Sequence, residues 1–138
     1  MKIKAILAAH NKYRAKVDVP PLEWSENLAA SAQKWANHLA AIGKLEHGSA
    51  GENLASGTAD AYSVTQLIDL WGHEKKHFKN GIFPDVSTTG RWEDVGHYTQ
   101  VVWRKTRKVG CGLARGHGND FLVCHYNPAG NVIGEKVF

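Results

Sequence analysis

Apolar residues recur at helical spacing in three early segments of the chain and alternate in a later one. Over residues 3–16, Ile3, Ile6, Leu7 and Tyr13 fall near one stripe, which predicts a helix. Pro20-Pro21 stops that segment. Ser25 is a natural N-cap for a second helix, in which Leu28, Ala32, Trp35 and Leu39 repeat at helical spacing until Gly43 ends it. A third helix is predicted from about Ala59 to Phe78, with Val64, Leu67, Trp71 and Phe78 as its stripe. His47 to Gly57 is glycine-rich and irregular, and Asn80 to Gly96 is a long loop holding Gly81, Pro84 and Gly90. Three strands are predicted near 97–103, 108–114 and 121–127, followed by a turn at Asn127–Asn131 and an extended tail at 132–138. Helices first and antiparallel strands later predict an α+β layered domain spanning 1–138, with no internal repeat or linker.

The residues that break this pattern carry the chemistry. In Gly96-His97-Tyr98-Thr99-Gln100-Val101-Val102-Trp103, a period of two puts His97, Thr99, Val101 and Trp103 on one strand face, with one imidazole among β-formers. On the third helix, Glu74 falls within roughly 30° of the centre of the apolar stripe. A carboxylate aimed at a core is costly unless it is paired or hydrogen-bonded. The same helix contains His73-Glu74-Lys75-Lys76-His77, which matches the zinc-protease pattern H-E-x-x-H, with Glu93 downstream as a third ligand. His73, however, projects about 130° from the stripe's centre. Lys75 and Lys76 also place two cations beside the would-be ion, so the protease helix is set aside. His47 and Glu52 lie in a glycine-rich bend that lets both reach one cavity, where Glu74 and His97 are possible partners.

Composition narrows the class only modestly. The chain has 138 residues, 43% of them hydrophobic, enough for a substantial core. Its net charge of +4 permits weak attraction to anionic surfaces without selecting one. The basic run Arg104-Lys105-Thr106-Arg107-Lys108 reads as a solvated turn, and no nucleic-acid recognition motif accompanies it. No apolar run is long enough for a transmembrane helix. Met1 to Ala9 resembles the start of a signal peptide, but its apolar run is too short and no cleavage pattern comes after it. It reads as the first turns of a helix, with any export signal absent from this chain. Cys111 and Cys124 lie in strand-like runs on either side of a turn centred on His117 and Gly118, which puts them opposite each other. A disulfide is feasible there, and two buried free thiols fit the same pattern.

Several motifs together resemble one family. They are His10-Asn11-x-x-Arg14, Leu22-x-Trp24, Gly51-Glu52-Asn53-Leu54-Ala55, Trp71-x-x-Glu74, Gly96 to Trp103, Val109-Gly110-Cys111-Gly112 and Cys124-x-Tyr126-Asn127-Pro128-x-Gly130-Asn131. In this order they resemble the CAP superfamily of cysteine-rich secretory proteins, insect venom antigen 5 and plant pathogenesis-related class 1 proteins. The resemblance spans nearly the whole chain and is nearer the lean microbial or fungal members.

The resemblance implies a three-layer α-β-α sandwich with a central antiparallel sheet, and a cavity lined by a His/Glu tetrad. By motif, His47 and His97 would bind a divalent cation, expected to be zinc, with Glu52 and Glu74 supporting them. Two protein ligands imply a weak, exchangeable site that loses metal in acid. The resemblance also implies an extracellular protein in which Cys111 and Cys124 are bridged. Lack of the further cysteines of many members, and of a cysteine-rich C-terminal domain, argues against ion-channel toxin activity. The leading expectation is a binding or interaction module for a small hydrophobic ligand, a sterol or a fatty acid. Its contacts would come from a loop at Asn80–Thr89 through Ile82, Phe83 and Val86, unless these merely anchor the loop. The alternative is a metal-dependent hydrolase using Glu52 and Glu74 as general bases.

Overall fold

Local sequence decides where most elements begin. In the computed structural model, which describes residues 2–138, α1 spans Ile3–Lys16 and α2 spans Glu26–Ile42. The Ser25 hydroxyl accepts the Leu28 N–H at 3.2 Å at the start of α2, and Gly43 ends it in the left-handed region at φ 71°. Helix α3 spans Val64–Gly72, shorter than the predicted 59–78, because Ser63 and Gln66 form a capping box at its start. Residues His73–His77 continue it as a tighter 3-10 turn.

Four strands form one sheet in the order β1-β3-β4-β2: β1 Glu23–Trp24, β2 Glu52–Thr58, β3 Lys108–Gly116 and β4 Asn119–Asn127. The three long strands are antiparallel, and the two-residue β1 adds a parallel edge. β3 and β4 are joined by His117-Gly118, both at positive φ (52° and 76°), the backbone that a two-residue hairpin demands. Cys111 faces Cys124 in that register, and the two are bridged.

Alternation then sorts the layers. Leu54, Phe121 and Val123 face α2 and pack on Ala32, Ala36, Leu39 and Ala40. Ala55, Val109, Cys111, Leu122, Cys124 and Tyr126 face the other way, into the larger core with α1 and α3. Helix α2 lies almost on the backbone of β3, since a Cβ on Gly110 would stand 2.1 Å from the Ala29 nitrogen. The result is a three-layer α-β-α sandwich. No helix among the described residues is long and apolar enough to cross a membrane.

Two predicted assignments are corrected. Residues 97–103 are not a strand: Gly96–Val101 form a helix, α4. Its β-forming residues are chosen for burial, since Tyr98, Thr99, Gln100 and Val101 are all buried. His97, Thr99, Val101 and Trp103 therefore do not share a strand face. The glycine-rich stretch before residue 58 is not all irregular either. Glu52–Thr58 pairs with β4 along its full length, so tertiary pairing overrides weak strand propensity. The 132–138 tail adds no strand to the sheet, but Lys136 pairs with Ile82 in a single antiparallel bridge and the tail is pinned: Val137 is fully buried, and its carbonyl accepts the Arg104 N–H at 2.9 Å.

Arg14 ties these parts together. It is fully buried, and no carboxylate among the described residues pairs with it. Its guanidinium donates to the carbonyls of Pro20 (2.7 Å), Val101 (3.0 Å), Trp103 (2.9 Å) and Thr106 (3.0 Å). Burial lowers its pKa to about 10, which leaves it charged at neutral pH. Arg14→Met removes every one of these donors; the Trp103 carbonyl keeps the Thr106 N–H at 3.1 Å, and the Pro20, Val101 and Thr106 carbonyls lose the guanidinium. At roughly 1–3 kcal/mol per unsatisfied group, partly relieved by water, the variant is expected to lose about 4 kcal/mol in a urea titration. An unchanged midpoint would show that the carbonyls do not need the guanidinium.

Candidate functional site: two histidine–glutamate pairs facing one cavity

Each carboxylate of the expected tetrad is held by three donors. Glu74 lies on the 3-10 turn after α3 and points inward, as its place in the apolar stripe predicted. Its Oε1 accepts the backbone N–H groups of His97 and Tyr98, each at 3.0 Å. Its Oε2 accepts His97 Nδ1–H at 2.8 Å. Glu52 opens strand β2, at the edge of the sheet, with its side chain only 1% exposed. Its Oε1 accepts Gly48 N–H at 2.8 Å and His47 Nδ1–H at 3.0 Å, and its Oε2 accepts His125 Nε2–H at 2.7 Å.

These bonds set the electrostatics. Burial alone would raise the Glu52 pKa, but the bonds from His125, His47 and Gly48 outweigh it and bring the value down to about 2. Glu52 is therefore ionised throughout the physiological range. A carboxylate on Nδ1 leaves Nε2 of His47 and of His97 as the acceptor nitrogen of the neutral ring, and neither Nε2 has a partner among the described residues.

Both rings line a single cavity of about 420 Å³, with Glu52, Asn53, Trp92, Glu93, Gln100 and Asn131 among its other walls. His47 is the looser wall, 59% exposed on its loop, whereas His97 on α4 is 34% exposed and stacks on Trp71 at an interplanar angle of 12°. Among the described residues, no three His, Cys, Asp or Glu side chains are grouped closely enough to enclose a metal.

A buried chain of hydrogen bonds supports the cavity from behind. His10 donates Nδ1–H to the Ile6 carbonyl (2.9 Å) and accepts the Tyr126 hydroxyl on Nε2 (2.6 Å). The Asn53 amide donates to the Tyr126 oxygen (3.3 Å) and to the His97 carbonyl (3.1 Å). Burial lowers the His10 pKa to about 4, so this ring stays neutral.

The remaining expected site residues fall elsewhere. In the H-E-x-x-H segment, His73 is exposed and the turn is 3-10, so the two histidines lack α-helical spacing. In the 80–89 loop, Phe83 and Val86 are buried in the larger core, while Ile82 is 49% exposed. Sequence reasoning missed His125 and Ser31, whose hydroxyl sits 2.7 Å from His125 Nδ1. Alternation in β4 puts His125 on the face of Phe121 and Val123. Its link to Glu52, however, becomes readable only once β2 is known to pair there.

An α-β-α sandwich with two His–Glu pairs across one cavity defines a class of domain, and comparison supplies the family. The chain belongs to the cysteine-rich secretory protein (CAP) family, whose model matches residues 7–126. It is 41% identical over 135 residues to pathogenesis-related protein 1C of Nicotiana tabacum, covering 96% of this chain and 78% of that protein. It is 43% identical over 131 residues to protein PRY2 of Saccharomyces cerevisiae, covering 91% of this chain and 37% of that longer protein. Among solved structures, NaASP2 with Zn2+ has the same fold, with a TM-score of 0.82 at 22% identity over 98% of this chain and 83% of that one.

The low pKa values give an acid limb to stability. The unfolded chain takes a proton at His10 near the ordinary 6.5, whereas the folded ring refuses it down to about 4. Stability therefore falls as pH drops across that window, by about 3 kcal/mol at roughly 1.4 kcal/mol per unit. Glu52 adds a second loss between the ordinary carboxylate value of 4.5 and about 2, where protonation of the unfolded chain again wins. His10→Gln should flatten the limb between pH 6.5 and 4 in denaturant titrations and leave the lower limb in place. A slope unaltered by the substitution would assign the first loss to other groups.

Proposed function

We propose that this chain is an extracellular binding module whose cavity takes a divalent cation between His47 and His97. One observation carries this reading: each ring commits Nδ1–H to a carboxylate, leaves Nε2 without a partner among the described residues, and lines the same cavity. Imidazole nitrogens oriented by outer carboxylates are the donor set that zinc favours, with water completing the shell. Such a cation would supply a Lewis acid and a bound water. The protein's share is to fix the tautomers and orient the rings. The Cys111–Cys124 bridge and the kinship with secretory proteins support an extracellular setting.

A hydrolase running on Glu52 and Glu74 has less support. Every oxygen of the two carboxylates already accepts at least one hydrogen bond, and Glu52, with a pKa of about 2, is a poor base. A small hydrophobic ligand, a sterol or a fatty acid, fits the module on one specific ground. Ile82 is 49% and Ile133 79% exposed, on segments joined by the Phe83 N–H to Glu135 carbonyl bond at 2.9 Å. Phe83 and Val86 would then hold the loop in place, with Ile82 as the contact.

Calorimetric titration of Zn²⁺ into chelator-stripped protein tests the cation. One-site heat is expected from the parent chain and none from His47→Ala/His97→Ala. A folded parent chain that gives no specific heat would overturn the reading. For the ligand, cholesterol and palmitate titrations are expected to show binding that Ile82→Asp weakens about tenfold, in line with roughly 1.4 kcal/mol for one apolar contact. Equal binding by the variant would remove Ile82 from the contact, and no binding by either protein would remove the ligand class.

A further inference from the structure

Glu52 has a second neighbour outside the cavity. Its Oε2 accepts His125 Nε2–H at 2.7 Å, and His125 Nδ1 stands 2.7 Å from the Ser31 hydroxyl. A carboxylate only accepts, so Nε2 must carry the ring hydrogen. In the neutral ring Nδ1 is then an acceptor, aimed at Ser31 Oγ–H. The hydroxyl has one other acceptor in reach, the Leu28 carbonyl at 3.0 Å, which is the longer contact. Nucleophile, base and orienting carboxylate thus stand in line, each within hydrogen-bond reach of the next.

The chain of groups opens onto a groove of about 340 Å³ lined by Ser31, Lys34, Trp35, Ser49, Glu52 and His125. Ser31 is exposed on α2 and reachable, while the His125 side chain is 12% exposed and the Glu52 side chain 1%. Lys34 lies three residues beyond Ser31, so the two share a helix face. Both also line the groove, which puts a cationic side chain beside the nucleophile to offset negative charge developing on a carbonyl oxygen.

We infer that Ser31, His125 and Glu52 form an acyl-transfer site in this groove, acting on small esters with an apolar arm that rests on Trp35. Ser31 Oγ bonds to the carbonyl carbon while its proton passes to His125 Nδ1, and the C=O electron pair moves onto oxygen beside Lys34. Collapse breaks the ester C–O bond, and the departing alkoxide takes the proton from Nδ1. Water then attacks the acyl-serine and gives its proton to His125. Ser31 leaves with that proton, so ester and water become acid and alcohol. Ser31 and His125 are the catalytic residues. Glu52 is a positioning residue: its Oε2 takes the His125 Nε2–H and so fixes the tautomer that leaves Nδ1 as the base. The site needs no cation, so it stands or falls apart from the cavity's proposed zinc.

Diisopropyl fluorophosphate is the probe, read by intact mass and peptide mapping of the whole chain, with p-nitrophenyl acetate as the turnover assay. One adduct is expected, on Ser31, with fluoride lost. Ser31→Ala, a change on an exposed helix face, is expected to abolish it. His125→Gln keeps a donor for Glu52 but no base, and should slow labelling and nitrophenolate release about a hundredfold. Chelator should change neither rate. A folded parent chain that gains no adduct at Ser31, or labels no faster than His125→Gln, would overturn the site.

Discussion

The three bonds received by the Glu74 carboxylate hold this molecule's working parts in place. Helix α4 is six residues long, well below the length at which a helix is stable by itself, and its own N-terminus carries no side-chain cap. Glu74 supplies the missing acceptor from the turn after α3, taking two backbone N–H groups of α4 and the His97 ring together. The chain beyond α4 depends on that start. The Gln100 amide donates to Thr106 at 3.2 Å and accepts Gly130 N–H at 2.9 Å, tying the segments around it to the same short helix. Arg14 then binds the carbonyls at the helix's far end, so each terminus is held by a side chain from another helical segment of the same layer.

Glu52 does the equivalent work on the opposite wall, by a different route. It sits at the first residue of the edge strand, paired in register with His125. Burying its carboxylate is costly, and three donors, two of them imidazoles, offset that cost. One anion therefore orients a ring in the cavity and a ring in the neighbouring groove at once. A carboxylate so completely engaged is a fixed reference charge and a weak base, which favours positioning over proton transfer as its part in any chemistry.

Much of this was legible in the chain. The stripe of α2, the Ser25 cap, the hairpin at His117-Gly118 and the inward aim of Glu74 all come from spacing and turn chemistry. What escaped has a physical cause in each case. The run Gly96–Trp103 is rich in β-formers, yet all of it except His97 is buried, and it takes its helical start from a carboxylate over twenty residues away in sequence. Four of the seven residues of β2, Glu52, Asn53, Ser56 and Gly57, are poor strand formers, and the segment pairs because β4 offers a complete ladder. Without β2, Glu52 had no register. With no register, His125 and Ser31 had no visible connection to it. The loop residues Phe83 and Val86 are apolar because they fill the core, a role that composition cannot separate from ligand contact.

The two imidazole walls are not equally prepared. His97 is fixed by a helix, a bidentate carboxylate and the face of Trp71, whereas His47 lies on a mostly exposed loop. That loop is nonetheless shaped by contact. A Cβ on Gly48 would lie 2.7 Å from the Trp35 ring, one on Gly51 would lie 2.9 Å from Ala129, and the Trp35 indole donates to the Glu46 carbonyl at 2.8 Å. Preorganisation on this side thus comes from backbone packed against α2 and the β4 turn, with Glu52 as the final clamp. Since α2 also carries Ser31, Lys34 and Trp35, the same helix shapes the groove and braces the cavity's softer wall. A change on this face of α2 is felt first at His47, and the His97 wall, anchored through Glu74 and Trp71, keeps its geometry.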